Sequence, residues 1–260
     1  MNESVKGTTV ERRKKILSIL AEDGQVFVNP LSKMFGVSEV TIRNDLDQLE
    51  QKNLLLRARG GALKLEVGVG IDQRISEKDK INFQEKSAIG RVAASMINES
   101  DTIILDSGTT TAEIAKNVKD VSNLSIITNA LNIVNILSHN QKINLIIPGG
   151  FLRQNSLSLV GPIAEKNIRN FYVDKVFLGV DGFDSRLGAY TPNIDEASLN
   201  QVMIEISREV VIVMDSSKFM RKSLAHICGL DKIDTIITDN GISQDERKRL
   251  EDAGIKMVVV

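Results

Sequence analysis

The sequence predicts an α/β chain in two parts: a small winged helix-turn-helix at the N-terminus, then a larger α/β domain on a largely parallel sheet. Three observations predict it. Two short helical patterns meet at Gly36, ahead of a hairpin signal at Gly60-Gly61. From about residue 85, short apolar runs alternate with segments of helical spacing. Charge also divides between the parts: residues 1–64 hold 11 Lys/Arg against 8 Asp/Glu, or +3, and the remainder 22 against 26, or −4.

Composition sets outer bounds. At 260 residues, 42% hydrophobic and 26% charged, the chain is ordinary globular material with room for two domains. One cysteine, Cys228, excludes an internal disulfide and suits a reducing compartment. No apolar run approaches the roughly 20 residues of a membrane span. The opening MNESVKGTTVERRKK has no apolar core. The expectation is a cytoplasmic protein without a membrane partner.

The N-terminal elements read in order. Ile16, Ile19 and Leu20 give the first helix one apolar side, with Arg12, Arg13, Lys14 and Lys15 on the other, and Asp23-Gly24 stops it. Asn29 as cap and Pro30 at the first helical position predict a helix over residues 30–35 that buries Leu31 and either Met34 or Phe35. Gly36 permits a tight turn. Ser38 caps a third helix running to about Lys52, with Ile42, Leu46 and Leu49 as its apolar stripe. Its opposite face carries Val40, Thr41, Arg43, Asn44, Asp47 and Gln48. Residues 54–65, LLLRARGGALKL, form the hairpin. The expected domains are 1–64, a polar linker over 65–85, and 86–260.

In the third region the apolar runs are TIILD (102–106), LSIIT (124–128), INLIIP (143–148), DKVFLGV (174–180), EVVIVMD (209–215), DTIIT (234–238) and IKMVVV (255–260). Helical spacing fills 110–118, 130–138, 194–206 and 243–253 between them. Runs this apolar fit a sheet buried on both faces. Ligands in such sheets bind beyond the carboxyl ends of the strands.

Five strand ends are furnished for that. The first gives Asp106, Ser107, Gly108, Thr109, Thr110 and Thr111 at a strand-to-helix turn, where a close backbone, hydroxyls and free amides favour phosphate. Ordinary capping by Ser or Thr is the alternative. The others supply Thr128 and Asn129; Gly149, Gly150 and Arg153; Asp181 and Asp184; and Asp215 with Lys218. Lys218 suits a phosphate or a sugar hydroxyl, and Asp181, Asp184 and Glu196 suit hydroxyl donors. Together they point to a polyol-phosphate pocket. His139 and His226 lack ligand spacing, so no metal is expected, nor any cofactor.

ERRKKILSIL, V-x-x-L-S-x-x-F-G-V-S at 28–38, TIRNDLDQLE, RARGGAL, LDSGTTT, PGG, FLGVDGFD, G-x-Y-T at 188–191 and DSSKF occur in this order. In combination the chain resembles the DeoR/GlpR family of bacterial transcription regulators over almost its full length, within it the branch of N-acetylgalactosamine-pathway repressors. The resemblance implies a DNA-binding winged helix followed by a sensor domain similar to ribose-5-phosphate isomerase. It implies a phosphorylated sugar bound there, with phosphate after Asp106 and sugar near Asp181 and Lys218, and ligand that weakens operator binding. Many members carry two arginines in I-R-R-D-L; this chain has Arg43-Asn44.

On that reading the polar face of residues 38–48, with Ser38, Val40, Thr41, Arg43 and Asn44, enters a major groove. Asn44 suits adenine, Arg43 guanine or phosphate, and Val40 or Thr41 a thymine methyl. Arg57 and Arg59 share a face of the wing and suit phosphate or minor groove. The expected partners are double-stranded operator DNA, a phosphorylated amino-sugar or hexose, and further copies of the chain, as a dimer or tetramer. The rival reading is a sugar-phosphate isomerase, because Asp181-Gly-Phe-Asp184 resembles the Asp-Gly-x-Asp of ribose-5-phosphate isomerases, a resemblance that implies Glu196 as base. The following stretch, SRLGAYTPNID, lacks the lysine of those isomerases, which favours binding without turnover.

Overall fold

The computed structural model describes residues 8–51, 54–58, 60–63, 71–118 and 121–260. The chain divides into two compact units, Met1–Val67 and Gly68–Val260.

In the first unit, α1 (Thr9–Asp23) begins at a capping box: Thr8 accepts the Glu11 N–H, and Glu11 accepts the Thr8 N–H. This satisfies two amides that a helix start leaves open. Next come β1 (Gln25–Phe27), α2 (Val28–Phe35), α3 (Glu39–Gln51), β2 (Leu56–Ala58) and β3 (Gly61–Leu63). The strands pair antiparallel in the order β1-β3-β2. The three helices close one core around Ile16, Leu20, Leu31, Phe35, Ile42, Leu46 and Leu49. This is a winged helix-turn-helix.

Local chemistry shifts some boundaries. β1 was not expected, because three residues are too few for their alternation to stand out in the sequence. α2 starts two residues before Pro30 from an extended Phe27, without a side-chain cap. Asn29 instead donates to Glu39 at 3.2 Å, so it ties α2 to the start of α3. Pro30 still falls in the first turn, where its missing N–H costs nothing. Gly36 ends α2 at φ 61°, and Ser38 Oγ accepts the Thr41 N–H at 3.1 Å to open α3. Phe35 is buried while Met34 is exposed. Arg59, Lys64 and residues 65–70 of the expected linker lie outside the described residues.

The second unit runs α4 (Ile75–Lys78), α5 (Phe83–Ala94), β4 (Thr102–Leu105), α6 (Thr109–Asn117), β5 (Leu124–Thr128), α7 (Leu131–Leu137), β6 (Ile143–Ile146), β7 (Phe151–Arg153), β8 (Ser158–Val160), α8 (Pro162–Ile168), β9 (Val173–Gly179), β10 (Gly182–Asp184), β11 (Gly188–Thr191), α9 (Ile194–Glu205), β12 (Ser207–Val213), β13 (Ala225–Cys228), β14 (Thr235–Thr238), α10 (Gln244–Asp252) and β15 (Lys256–Val259). Among the described residues, seven strands form one sheet in the order β15-β14-β12-β9-β4-β5-β6, every pair parallel. Its two faces bury separate clusters, Ile104, Val176 and Ile212 on one side and Ile103, Leu105, Phe177 and Val211 on the other.

The order sets the site. From β4 the chain winds outward through β5 and β6; from β9 it winds the opposite way through β12, β14 and β15. The reversal lies between β4 and β9, and a crevice opens beyond their carboxyl ends. Two small antiparallel sheets, β10-β11-β13 and β7-β8, frame that end. Residues 71–85, read as linker from sequence, fall inside this unit and carry α4 and the start of α5.

Candidate functional site

Two surfaces carry chemistry. The first is the outer face of α3. Val40, Arg43, Asn44, Asp47 and Gln48 are exposed there, while Ile42, Asp45, Leu46 and Leu49 face inward. Ser38 and Thr41 share a hydroxyl contact of 2.9 Å at the helix start. Arg43 leans on Glu39 at 2.6 Å, an exposed i,i+4 pair of little energetic weight. Asn44 keeps its amide free of side-chain hydrogen bonds among the described residues.

The basic residues beside this face are partly spent on structure. Arg12 and Arg13 reach the buried Asp45 carboxylate at 2.6 and 2.7 Å, so they do not belong to the free basic cluster that the sequence suggested. Arg57 is also engaged. Its Nε donates to Asp47 at 2.8 Å, its Nη1 to the Gly61 carbonyl, and its own N–H to Glu50 at 2.8 Å. It locks the wing to α3, which differs from the phosphate-facing arginine expected.

The second surface is the crevice between β4 and β9. It is lined by Asp106, Ser107, Gly108, Thr109 and Thr110 after β4, and by Gly179, Val180 and Asp181 at the end of β9. Thr191, Glu196, Asn200, Met214 and Lys218 complete the lining together with Lys78 and Lys86. α6 starts here from an extended Gly108, and no side chain caps it. That removes the capping alternative for Ser107 and leaves the helix N-terminus turned to the crevice.

Charges are arranged around it. Lys78 Nζ lies 2.6 Å from Asp181 Oδ1, and Lys218 Nζ 4.0 Å from the same oxygen. Burial pushes Asp181 up, but these two lysines outweigh it and hold the carboxyl below its usual range. Asp106 goes the other way: burial, then the charge of Glu196, raises it to about 8, and it hydrogen-bonds Asn200. Burial also lowers Lys86 to about 8. At pH 7 Asp106 therefore carries a proton, while Asp181 is a carboxylate and Lys86 is mostly an ammonium.

Glu196 is held by three side chains. Arg153 approaches its Oε1 at 2.5 Å, Ser158 donates to Oε1 at 3.0 Å, and Thr191 to Oε2 at 3.1 Å. Arg153 also binds Asp72, so it stands behind Glu196 and does not line the crevice.

Other expected site residues are elsewhere. Thr111 is fully buried under the helix start. Thr128 Oγ1 accepts the Ala130 N–H at 3.2 Å, and Asn129 donates to the Leu159 carbonyl at 3.3 Å, both at the end of β5, one strand away from the reversal. Gly149 and Gly150 take φ of 72° and 123° to enter β7, and a Cβ on Gly150 would meet the Val160 carbonyl at 2.7 Å. Asp184 accepts the Arg186 and Leu187 N–H groups in the β10–β11 turn. Lys78 and Lys86 were missed, since a run such as SEKDK reads as solvated charge; a helix register placed on 83–94 is the signal that would have turned Lys86 inward. Among the described residues no helix is long and apolar enough to cross a membrane, and no cluster of three metal-ligating side chains occurs.

Comparison with known proteins agrees with both halves. The DeoR-like helix-turn-helix domain matches residues 12–66, and the DeoR C terminal sensor domain residues 81–240. A candidate aga operon transcriptional repressor of Escherichia coli O157:H7 is 40% identical over 253 residues, 97% of this chain and 94% of its own. The transcriptional repressor AccR of Agrobacterium fabrum is 36% identical over 235 residues, 90% of this chain and 91% of its own. The regulator GlpR of Haloferax volcanii is 34% identical over 249 residues, 95% and 96% of the two chains. Among solved structures, ribose 5-phosphate isomerase A of Methanocaldococcus jannaschii covers 54% of this chain and 55% of its own at a TM-score of 0.41 and 14% identity, a likeness too distant to speak to chemistry. With both units matched, and relatives similar end to end, the chain belongs to the DeoR family of transcriptional regulators, a helix-turn-helix DNA-binding unit joined to a sensor unit.

Proposed function

We propose that the chain represses a carbohydrate-utilisation operon and leaves its operator when a phosphorylated sugar binds between β4 and β9. The observation that carries the effector class is the crevice itself. An uncapped helix N-terminus and three lysines favour a phosphate, while Asp181, Thr191 and Asn200 offer partners to hydroxyls. The aga operon relative and the sequence resemblance support an amino-sugar or hexose phosphate. The exposed row from Ser38 to Asn44 is the reading surface for base edges, and copies of the chain pair to engage two half-sites.

Binding without turnover is the better fit. A general base needs a lone pair aimed at the substrate proton, and Glu196 already serves three donors, one of them a guanidinium. Fluorescence anisotropy on DNA from the gene's own upstream region, with shuffled DNA at equal salt, tests the reading. Release of specific DNA by one sugar phosphate and not by its unphosphorylated parent is expected. Turnover of ribose 5-phosphate by pure protein would replace this reading with the isomerase one.

A further inference from the structure

Residues 72–86 have no core of their own. α4 spans Ile75–Lys78 without a side-chain cap, too short to persist unaided. Polar anchors hold the segment. Asp72 takes Arg153 and the Asn155 amide, the latter at 2.7 Å, and the Ile75 N–H donates to the Asn155 carbonyl at 2.7 Å. Lys78 pairs with Asp181 at 2.6 Å, and the buried Lys86 ammonium donates to the Lys78 carbonyl. Asn82 sits at φ 52° and spends its amide on Asp215 at 2.9 Å instead of capping α5.

Two of these anchors end on crevice carboxylates. Lys78 ends on Asp181 directly, and Asp72 ends on Glu196 through Arg153. Segments with few buried apolar contacts, held mainly by polar anchors, lie at the low end of local stability, and residues 71–85 bury none of their own side chains fully. In sequence four residues separate the segment from the end of the first unit at Val67.

We infer that residues 72–86 are a strap fastened by the ligand: Lys78 and Lys86 bind its anionic group, and the filled crevice holds the strap more firmly than Asp181 alone. The inference rests on the sugar-phosphate reading of the crevice. Its logic is linkage. A docked strap supplies two of the three lysines that line the crevice, so ligand binding and strap docking strengthen each other by the same factor. The occupied crevice thereby acts on the stretch of chain next to the DNA-binding unit.

Hydrogen exchange over peptides covering 71–86 tests this on the full chain, with galactosamine 6-phosphate, glucose 6-phosphate and inorganic phosphate as probes, beside calorimetric affinities. The wild-type chain should gain about tenfold protection in the strap with the sugar phosphate that binds. Lys78→Gln should lose about tenfold in affinity and all of that protection, while Lys166→Gln on the exposed side of α8 changes neither. Without any probe, Asp181→Asn should speed exchange in the strap. Equal affinity of wild type and Lys78→Gln, or unchanged strap exchange in Asp181→Asn, overturns the strap and leaves the crevice reading intact. Absence of binding by the wild-type chain overturns the crevice reading and the strap with it.

Discussion

Arg12 donates through Nε to Asp45 at 2.6 Å, joining the first helix of the DNA-binding unit to the inward face of the helix that presents Asn44. Asp45 is 2% exposed, and Arg13 takes its second oxygen at 2.7 Å. A carboxylate this deep is tolerated only because two guanidinium groups meet it. Asp45→Ala leaves both without their partner. It should cost about 3 kcal/mol in the opening free energy of α3 amides, read by hydrogen exchange, which isolates this unit. A loss under about 0.5 kcal/mol would make the pair incidental.

The Arg57–Asp47 bond separates wing geometry from DNA charge. Arg57→Gln and Asp47→Asn should each loosen the wing by roughly 0.5–1 kcal/mol, and the double variant should cost no more than the larger single. Because its guanidinium is turned to Asp47 and Gly61, Arg57→Gln should weaken operator and shuffled DNA alike, with an unchanged salt slope. A slope smaller by about one would mean that Arg57 also neutralises a phosphate. Asn44→Ala should behave differently, losing about 1–3 kcal/mol on operator alone and relaxing preference at one base pair.

Asp106 and Lys86 both titrate at about 8, and both act in one direction on an anionic ligand. As pH rises through that value, Asp106 gains a negative charge and Lys86 loses a positive one. A phosphate monoester is already a dianion above about pH 6. Affinity for sugar phosphate should hold from about pH 6.5 to 7.5 and fall at least about tenfold by pH 9, measured by calorimetry at constant ionic strength. Asp106→Asn removes one of the two titrations and should flatten the decline. The same group bears on stability. Its folded pKa is raised above the unfolded one, so its favourable contribution is complete below about pH 4 and lost on rising through about 8. Asp106→Asn should therefore raise the melting temperature more at pH 8 than at pH 5.

Gly90 lies in α5, where alanine would ordinarily gain about 1 kcal/mol in helix propensity. Here a Cβ would stand 2.7 Å from the backbone carbon of Glu113 in α6. Gly90→Ala should lower the melting temperature by several degrees, through overpacking of about 1–3 kcal/mol. It should also weaken sugar-phosphate binding, since α5 carries Lys86 and α6 opens onto the crevice. A stabilised variant would show that the two helices can part freely.

The parallel strands were legible because burial on both faces leaves unbroken apolar runs such as TIILD and EVVIVMD. The order of those strands was not legible, and the crevice depends on it. Thr128 and Asn129 end β5 much as Ser107 and Gly108 follow β4, yet only β4 borders the reversal. Gly149 and Gly150 count from sequence among the strand ends of the pocket, but their positive φ serves the turn into β7. The charges of 76–80 gave no hint of facing, since Lys78 turns to Asp181 through contacts remote in sequence. In the first unit Gly24, Gly36 and the Ser38 cap marked helix ends correctly and the Asn29 cap did not, whereas Arg12, Arg13 and Arg57 changed meaning once their partners were known.

The two units differ in how much chain each requires. The core of the first closes between Ile16 and Ala62, whereas the crevice needs residues from Lys78 to Lys218. During synthesis Lys218 leaves the ribosome about 150 residues after Val67, an interval of roughly 8–30 s at 5–20 residues per second. All the residues that close the core of the first unit are therefore made well before the last residue that lines the crevice.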